Sequence, residues 1–201
     1  MIMSSVIALR KSLSLTNIFI DHYTQRKAID LALAKKISSI DDERIKFNHE
    51  VKYIFRGLAN ISKAKLKFLI GEGEILEPGI AMSTTPVQSR DMSWTTEAAV
   101  AVQFATGLVG PEIKDVGYSC ILIGKSSKFQ PILNPLKMAD SSIGSHWNPV
   151  WKENLGSSIL NEKEVIITNL EEPELIVFTS KNDSRELSLL VSKAVNILMT
   201  N

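Results

Sequence analysis

Tyr53-Ile54-Phe55-Arg56-Gly57-Leu58 marks where the chain changes character. The run is aromatic and β-branched, so it predicts a short strand with an arginine embedded near its end. Upstream, residues 1–50 carry a helical rhythm. Between Ala28 and Ile40 the apolar positions Ile29, Leu31, Leu33, Ile37 and Ile40 alternate with lysines and serines, and Ser39 with Asp41-Asp42 marks a break before a second helix. Downstream, the lysine-rich 62–70 predicts a short helix, with turns at Gly71-Glu72-Gly73 and Pro78-Gly79. Residues 80–85 and 92–95 read as strand edges. Glu97 to Ala105 is alanine-rich and predicts a helix with Thr95 or Thr96 as its cap. Tyr118 to Ile123 predicts a buried strand, and Glu164 to Thr168 and Glu174 to Thr179 predict two more. Asp183 with Glu186 forms a capping pair for a last helix, whose apolar face is Leu187, Leu190, Val191, Ala194, Ile197 and Leu198. Helices, then short strands around one helix, then a terminal helix define an α+β class.

The whole chain bounds these elements. Its 201 residues predict a single domain with a helical part over 1–50, an α+β core over 51–180 and a C-terminal helix over 183–201. A chain of this length buries a sizeable core without staples. One cysteine, Cys120, excludes an intrachain disulfide and a cysteine-cluster zinc site. A formal net charge of +1 gives no bulk electrostatic pull toward nucleic acid or an anionic membrane. No apolar run reaches the roughly 18–20 residues of a membrane span, and the basic pair of MIMSSVIALRKSLSL follows its apolar stretch, unlike a signal peptide. The expectation is a soluble, cytoplasmic protein.

Three segments place polar residues where packing does not call for them. Arg56 sits in an apolar strand: it either points to solvent or grips a phosphate or carboxylate bidentately, with Gly57 letting a ligand approach the backbone. Ser93-Trp94-Thr95-Thr96 precedes a helix, where its hydroxyls either cap the first turn or orient a carboxylate. Glu162-Lys163-Glu164 opens a strand, and alternation stands both carboxylates on one surface. Such a pair is either a charged strand edge or a site in which repulsion raises the pKa of one partner.

Taken in order, Arg56-Gly57, Ser93-Trp94-Thr95 leading into Ala101 and Phe104-Ala105, and Glu162-Lys163-Glu164 resemble the mono-ADP-ribosyltransferases. The likeness is to their arginine–serine–glutamate class, which includes bacterial toxins, phage enzymes that modify host proteins, and vertebrate ectoenzymes. It covers about residues 50–180. The family's middle motif is most often Ser-Thr-Ser, and a second candidate for it, Ser83-Thr84-Thr85, lies ten residues upstream of Ser93. Ser93 is preferred because the helix spacing behind it fits without an insertion.

The resemblance implies two small, roughly perpendicular β-sheets around an NAD cleft with helices outside. It implies NAD as substrate, bound by Arg56 at its phosphates and lined by Gly57, Ser93 and Thr95. Ser93 would fix the rotamer of Glu164, and Glu164 would stabilise the oxocarbenium-like transition state, a contribution of roughly 3–4 kcal/mol for a well-placed group. Glu162 would orient an acceptor guanidinium, which needs a base because its pKa lies above about 12. The implied partners are NAD, a target protein with an accessible arginine and an inhibitor or antitoxin, the C-terminal helix being one docking face for the last. No metal and no membrane are implied. A nucleic-acid acceptor is the alternative that the near-neutral charge disfavours, and a non-enzymatic α+β interaction module is the other. Trp147 and Trp151 are read as core before acceptor loop, and His146 as structural.

Overall fold

A computed structural model describes residues 50–83, 92–108, 117–128, 131–133, 163–167 and 174–200. The expected helices of 1–49, and Trp147, Trp151, His146 and Glu162, lie outside the described residues. The strands are β1 (Tyr53–Ile61), β2 (Ile75–Glu77), β3 (Ile80–Met82), β4 (Met92–Thr95), β5 (Tyr118–Lys125), β6 (Pro131–Leu133), β7 (Glu164–Ile167) and β8 (Leu175–Thr179). The helices are α1 (Lys63–Ile70), α2 (Ala98–Ala105) and α3 (Ser184–Thr200), with a 3-10 turn over Ser126–Lys128. The class is α+β, as the order of elements predicts.

All strand pairs are antiparallel. Their order is β2-β3-β8-β5-β1-β4-β7-β6, one continuous run rather than the two separate sheets that the family resemblance implies. β5 lies at the centre because both its faces are covered. From Ser119 to Gly124 every residue is buried, which is why its sequence reads as an unbroken apolar run rather than an alternating one. On one face Phe55, Ile121, Ile123, Leu175 and Val177 pack under α2 and α3. On the other, Ile54, Trp94, Cys120, Leu122, Val165 and Ile176 pack under Leu66 and Leu69 of α1. Each buried large aliphatic side chain contributes roughly 1.5–3 kcal/mol. Burial pushes the Cys120 thiol up to about 12, so it serves as a small packing residue and not as a nucleophile.

The terminal helix forms as its pattern requires. Asp183 Oδ1 accepts from the backbone N–H groups of Arg185 and Glu186 at 2.8 and 3.2 Å, while Leu187, Val191, Ala194 and Leu198 turn inward. The start of α2 differs from expectation. Its N-cap is Glu97, whose side chain makes no cap bond, and Thr95 instead accepts from the Glu97 N–H at 3.0 Å in a local turn. β3 ends at Met82, and residues 84 and 85 of the expected 80–85 strand lie outside the described residues. Ser83 is buried, its hydroxyl donating to the Leu69 carbonyl at 2.9 Å.

Gly57 has a reason different from the expected ligand approach. A Cβ built there would lie 2.1 Å from the Ala101 carbonyl oxygen and 2.8 Å from the Ala105 nitrogen. The missing side chain lets the backbone of α2 rest on β1, so Gly57 serves helix packing. Because the blocking atoms are backbone, Gly57→Ala is expected to destabilise the protein by about 1–3 kcal/mol. A urea midpoint equal to that of the native protein would contradict this packing role.

Candidate functional site

The topology brings the three polar segments onto neighbouring strands, β1, β4 and β7. In the β4–β7 ladder Ser93 stands opposite Ile166, Trp94 opposite Val165 and Thr95 opposite Glu164. Paired residues share a face, so Ser93, Thr95 and Glu164 fall on the same side of the sheet. Ser93 is the diagonal neighbour of Glu164 in that ladder. Ser83 follows β3, and β8, β5, β1 and β4 separate that strand from β7. With its hydroxyl already given to Leu69, the upstream serine has a structural role.

Arg56 is not on that face. Phe55 pairs with Thr95, and Arg56 pairs with Leu122 in β5, so alternation turns Arg56 toward the α1 side with Ile54 and Trp94. Its guanidinium is largely withdrawn from water, and Nη1 is buried with no hydrogen-bond partner among the described residues. Burial lowers its pKa to about 10. Among the described residues no carboxylate pairs with it, although a buried cation is ordinarily compensated by an anion.

The join between β1 and β4 is narrow. The two strands share the single Cα pair Phe55 with Thr95, whereas β1 follows β5 from Tyr53 to Leu58 without interruption. Arg56 therefore lies just past the last pair, where the β1–β4 ladder stops.

Glu164 begins β7, and Lys163 before it takes a φ of 44°. That left-handed residue interrupts strand alternation, so the expected placement of Glu162 beside Glu164 does not follow from period two. Lys163 instead accepts a bond from the Thr96 N–H through its carbonyl, at 3.3 Å, and its ammonium pairs with the Glu97 carboxylate. Both side chains are close to half exposed, and such a pair contributes about 0–1 kcal/mol.

Sequence reading missed the cleft beside this pair. A cavity of about 440 Å³ is lined by Glu50, Val51, Lys52, Tyr53, Phe55, Thr96, Glu97 and Lys163. Tyr53 and Phe55, two apart on β1, form its aromatic wall, a signal that was present in the sequence as spacing alone. Among the described residues no group of three or more metal-ligating side chains occurs, and no helix is long and apolar enough to cross a membrane. Comparison with protein-family models, with curated proteins and with solved structures returned no match.

Proposed function

We propose that the chain is an NAD-dependent mono-ADP-ribosyltransferase that modifies arginine, acting as a toxin, effector or phage enzyme in the cytoplasm of the producing or the target cell. The observation that carries this reading is the guanidinium of the partly buried Arg56, whose Nη1 is fully buried with no partner among the described residues. A dinucleotide diphosphate is the kind of anion that would satisfy it. Ser93 and Glu164 on one face of adjacent strands, and the order of the three motifs along the chain, support it further. The break in the β1–β4 ladder after Phe55 is where the sheet would divide into the two halves of a transferase cleft.

In the proposed reaction a guanidinium nitrogen of the acceptor bonds to C1′ of the nicotinamide ribose. The bond from C1′ to the pyridine nitrogen breaks, neutral nicotinamide leaves with the electron pair, and the acceptor nitrogen gives up one proton. Glu164 would stabilise the positive charge that develops at C1′, held by Ser93, while Arg56 holds the phosphates. Glu162 would take the acceptor's proton. Glu162→Gln is therefore expected to keep most NAD hydrolysis while losing transfer to agmatine, measured by nicotinamide release and by adduct mass. An equal loss of both would remove the acceptor role.

One observation favours a second reading. Arg56 and Glu164 fall on opposite faces by register, which suits a non-enzymatic α+β interaction module better than a cleft closed around both. The transferase reading requires Arg56 to reach the substrate through the gap past the Phe55–Thr95 pair. Calorimetric titration with NAD separates the two: binding to the native protein that Arg56→Met removes supports the transferase, and no binding supports the module.

A further inference from the structure

Resting on the transferase reading, we propose that the cleft beside Glu97 is the acceptor subsite, where a guanidinium stacks on Tyr53 and pairs with Glu97 in the place that Lys163 now fills. Three observations lead there. The cleft holds about 440 Å³, ample for a guanidinium and its methylene stem, and it abuts the residue immediately before Glu164. Its lining sets an aromatic wall of Tyr53 and Phe55 beside the carboxylates of Glu50 and Glu97, which share the cleft with the ammonium groups of Lys52 and Lys163. A cation of this chain already sits on one of those carboxylates, since the Lys163 ammonium contacts Glu97 Oε1. Arginine is the better fit for the same carboxylate, because its planar fork bonds both oxygens at once while an ammonium offers a point charge.

The pair is exposed and easily opened, so Lys163 acts as a resident competitor: it keeps the subsite closed to weak cations and yields to a guanidinium that also stacks. Glu97 is then a specificity residue for the acceptor, and Lys163 sets how tightly the acceptor binds. Both are distinct from Glu162, whose proposed part is to take the proton.

The test is equilibrium binding of agmatine by calorimetry, without NAD, to the native protein, Lys163→Asn and Glu97→Gln. Asparagine is chosen because it tolerates the left-handed backbone at 163. Lys163→Asn is expected to tighten agmatine binding about two- to fivefold, the worth of an exposed ion pair. Glu97→Gln is expected to weaken it about tenfold or more, as the loss of a charge-assisted bidentate bond would. Circular dichroism verifies that both variants are folded. Equal affinity in all three proteins, or no binding to any, overturns the subsite. NAD turnover is read separately: agmatine bound in this pattern with no NAD cleaved leaves the cation site standing and removes the transferase reading.

Discussion

Glu164→Gln is expected to lower both nicotinamide release and transfer to agmatine by about 100- to 1,000-fold, with KM for NAD changed far less. The reason lies in where charge develops. Glutamine keeps the shape and can still accept a hydrogen bond, so ground-state binding survives. The negative charge that would meet the cation forming at C1′ is gone, and losses of this size follow removal of one preorganised group at such a position. The substitution tests position as well as identity. Glu164 is the first residue of β7, and its backbone is held across the ladder from Thr95. A variant that keeps native turnover would show that another carboxylate does the work.

Arg56→Met is expected to move stability and ligand binding in opposite directions. Arg56 is a largely buried cation whose Nη1 has no partner among the described residues. Its pKa, lowered by burial from 12.5 to about 10, corresponds to a destabilisation of roughly 3 kcal/mol at neutral pH. The sign follows from linkage. Between about 10 and 12.5 the unfolded chain binds more protons than the folded one, so this cost is fully present below about 10 and shrinks as pH rises through that window. Methionine has a similar reach and no charge, and replacement of buried ionic groups by apolar ones is often stabilising by about 1–4 kcal/mol. Arg56→Met should therefore raise the urea midpoint, with a gain that narrows as pH passes about 10, and should abolish NAD binding. A variant less stable than the native protein would mean that the guanidinium already has its partner.

The fold was legible where one physical cause dominated. Tyr118 to Ile123 announced a buried strand because a strand covered on both faces has no polar side to show. Leu187, Val191, Ala194 and Leu198 announced the terminal helix through their spacing, and Asp183 announced its start through capping chemistry. The class followed from element order. Sheet topology did not, since nothing local in β1 tells that its neighbours are β5 and β4.

The candidate site was legible less evenly. Arg56, Ser93 and Glu164 stand on the neighbouring strands β1, β4 and β7, but register puts Arg56 on the opposite face from Glu164, a separation that motif order along the chain does not carry. Lys163 takes a left-handed φ that period-two reading does not foresee, and Glu162 lies outside the described residues. Gly57 was read as room for a ligand, although α2, forty residues on, takes that room. Long-range packing of that kind leaves no mark on the residues next to a glycine. The cleft at Glu97 escaped for the same reason: Tyr53, Glu97 and Lys163 meet only once three strands have paired.

The most direct test of the central claim is mass spectrometry of the purified protein incubated with NAD and agmatine, with Glu164→Gln alongside. The account predicts an agmatine adduct carrying one ADP-ribosyl group, formed with release of nicotinamide and absent from the variant. NAD left intact by the native protein, with neither adduct nor free ADP-ribose, would contradict it.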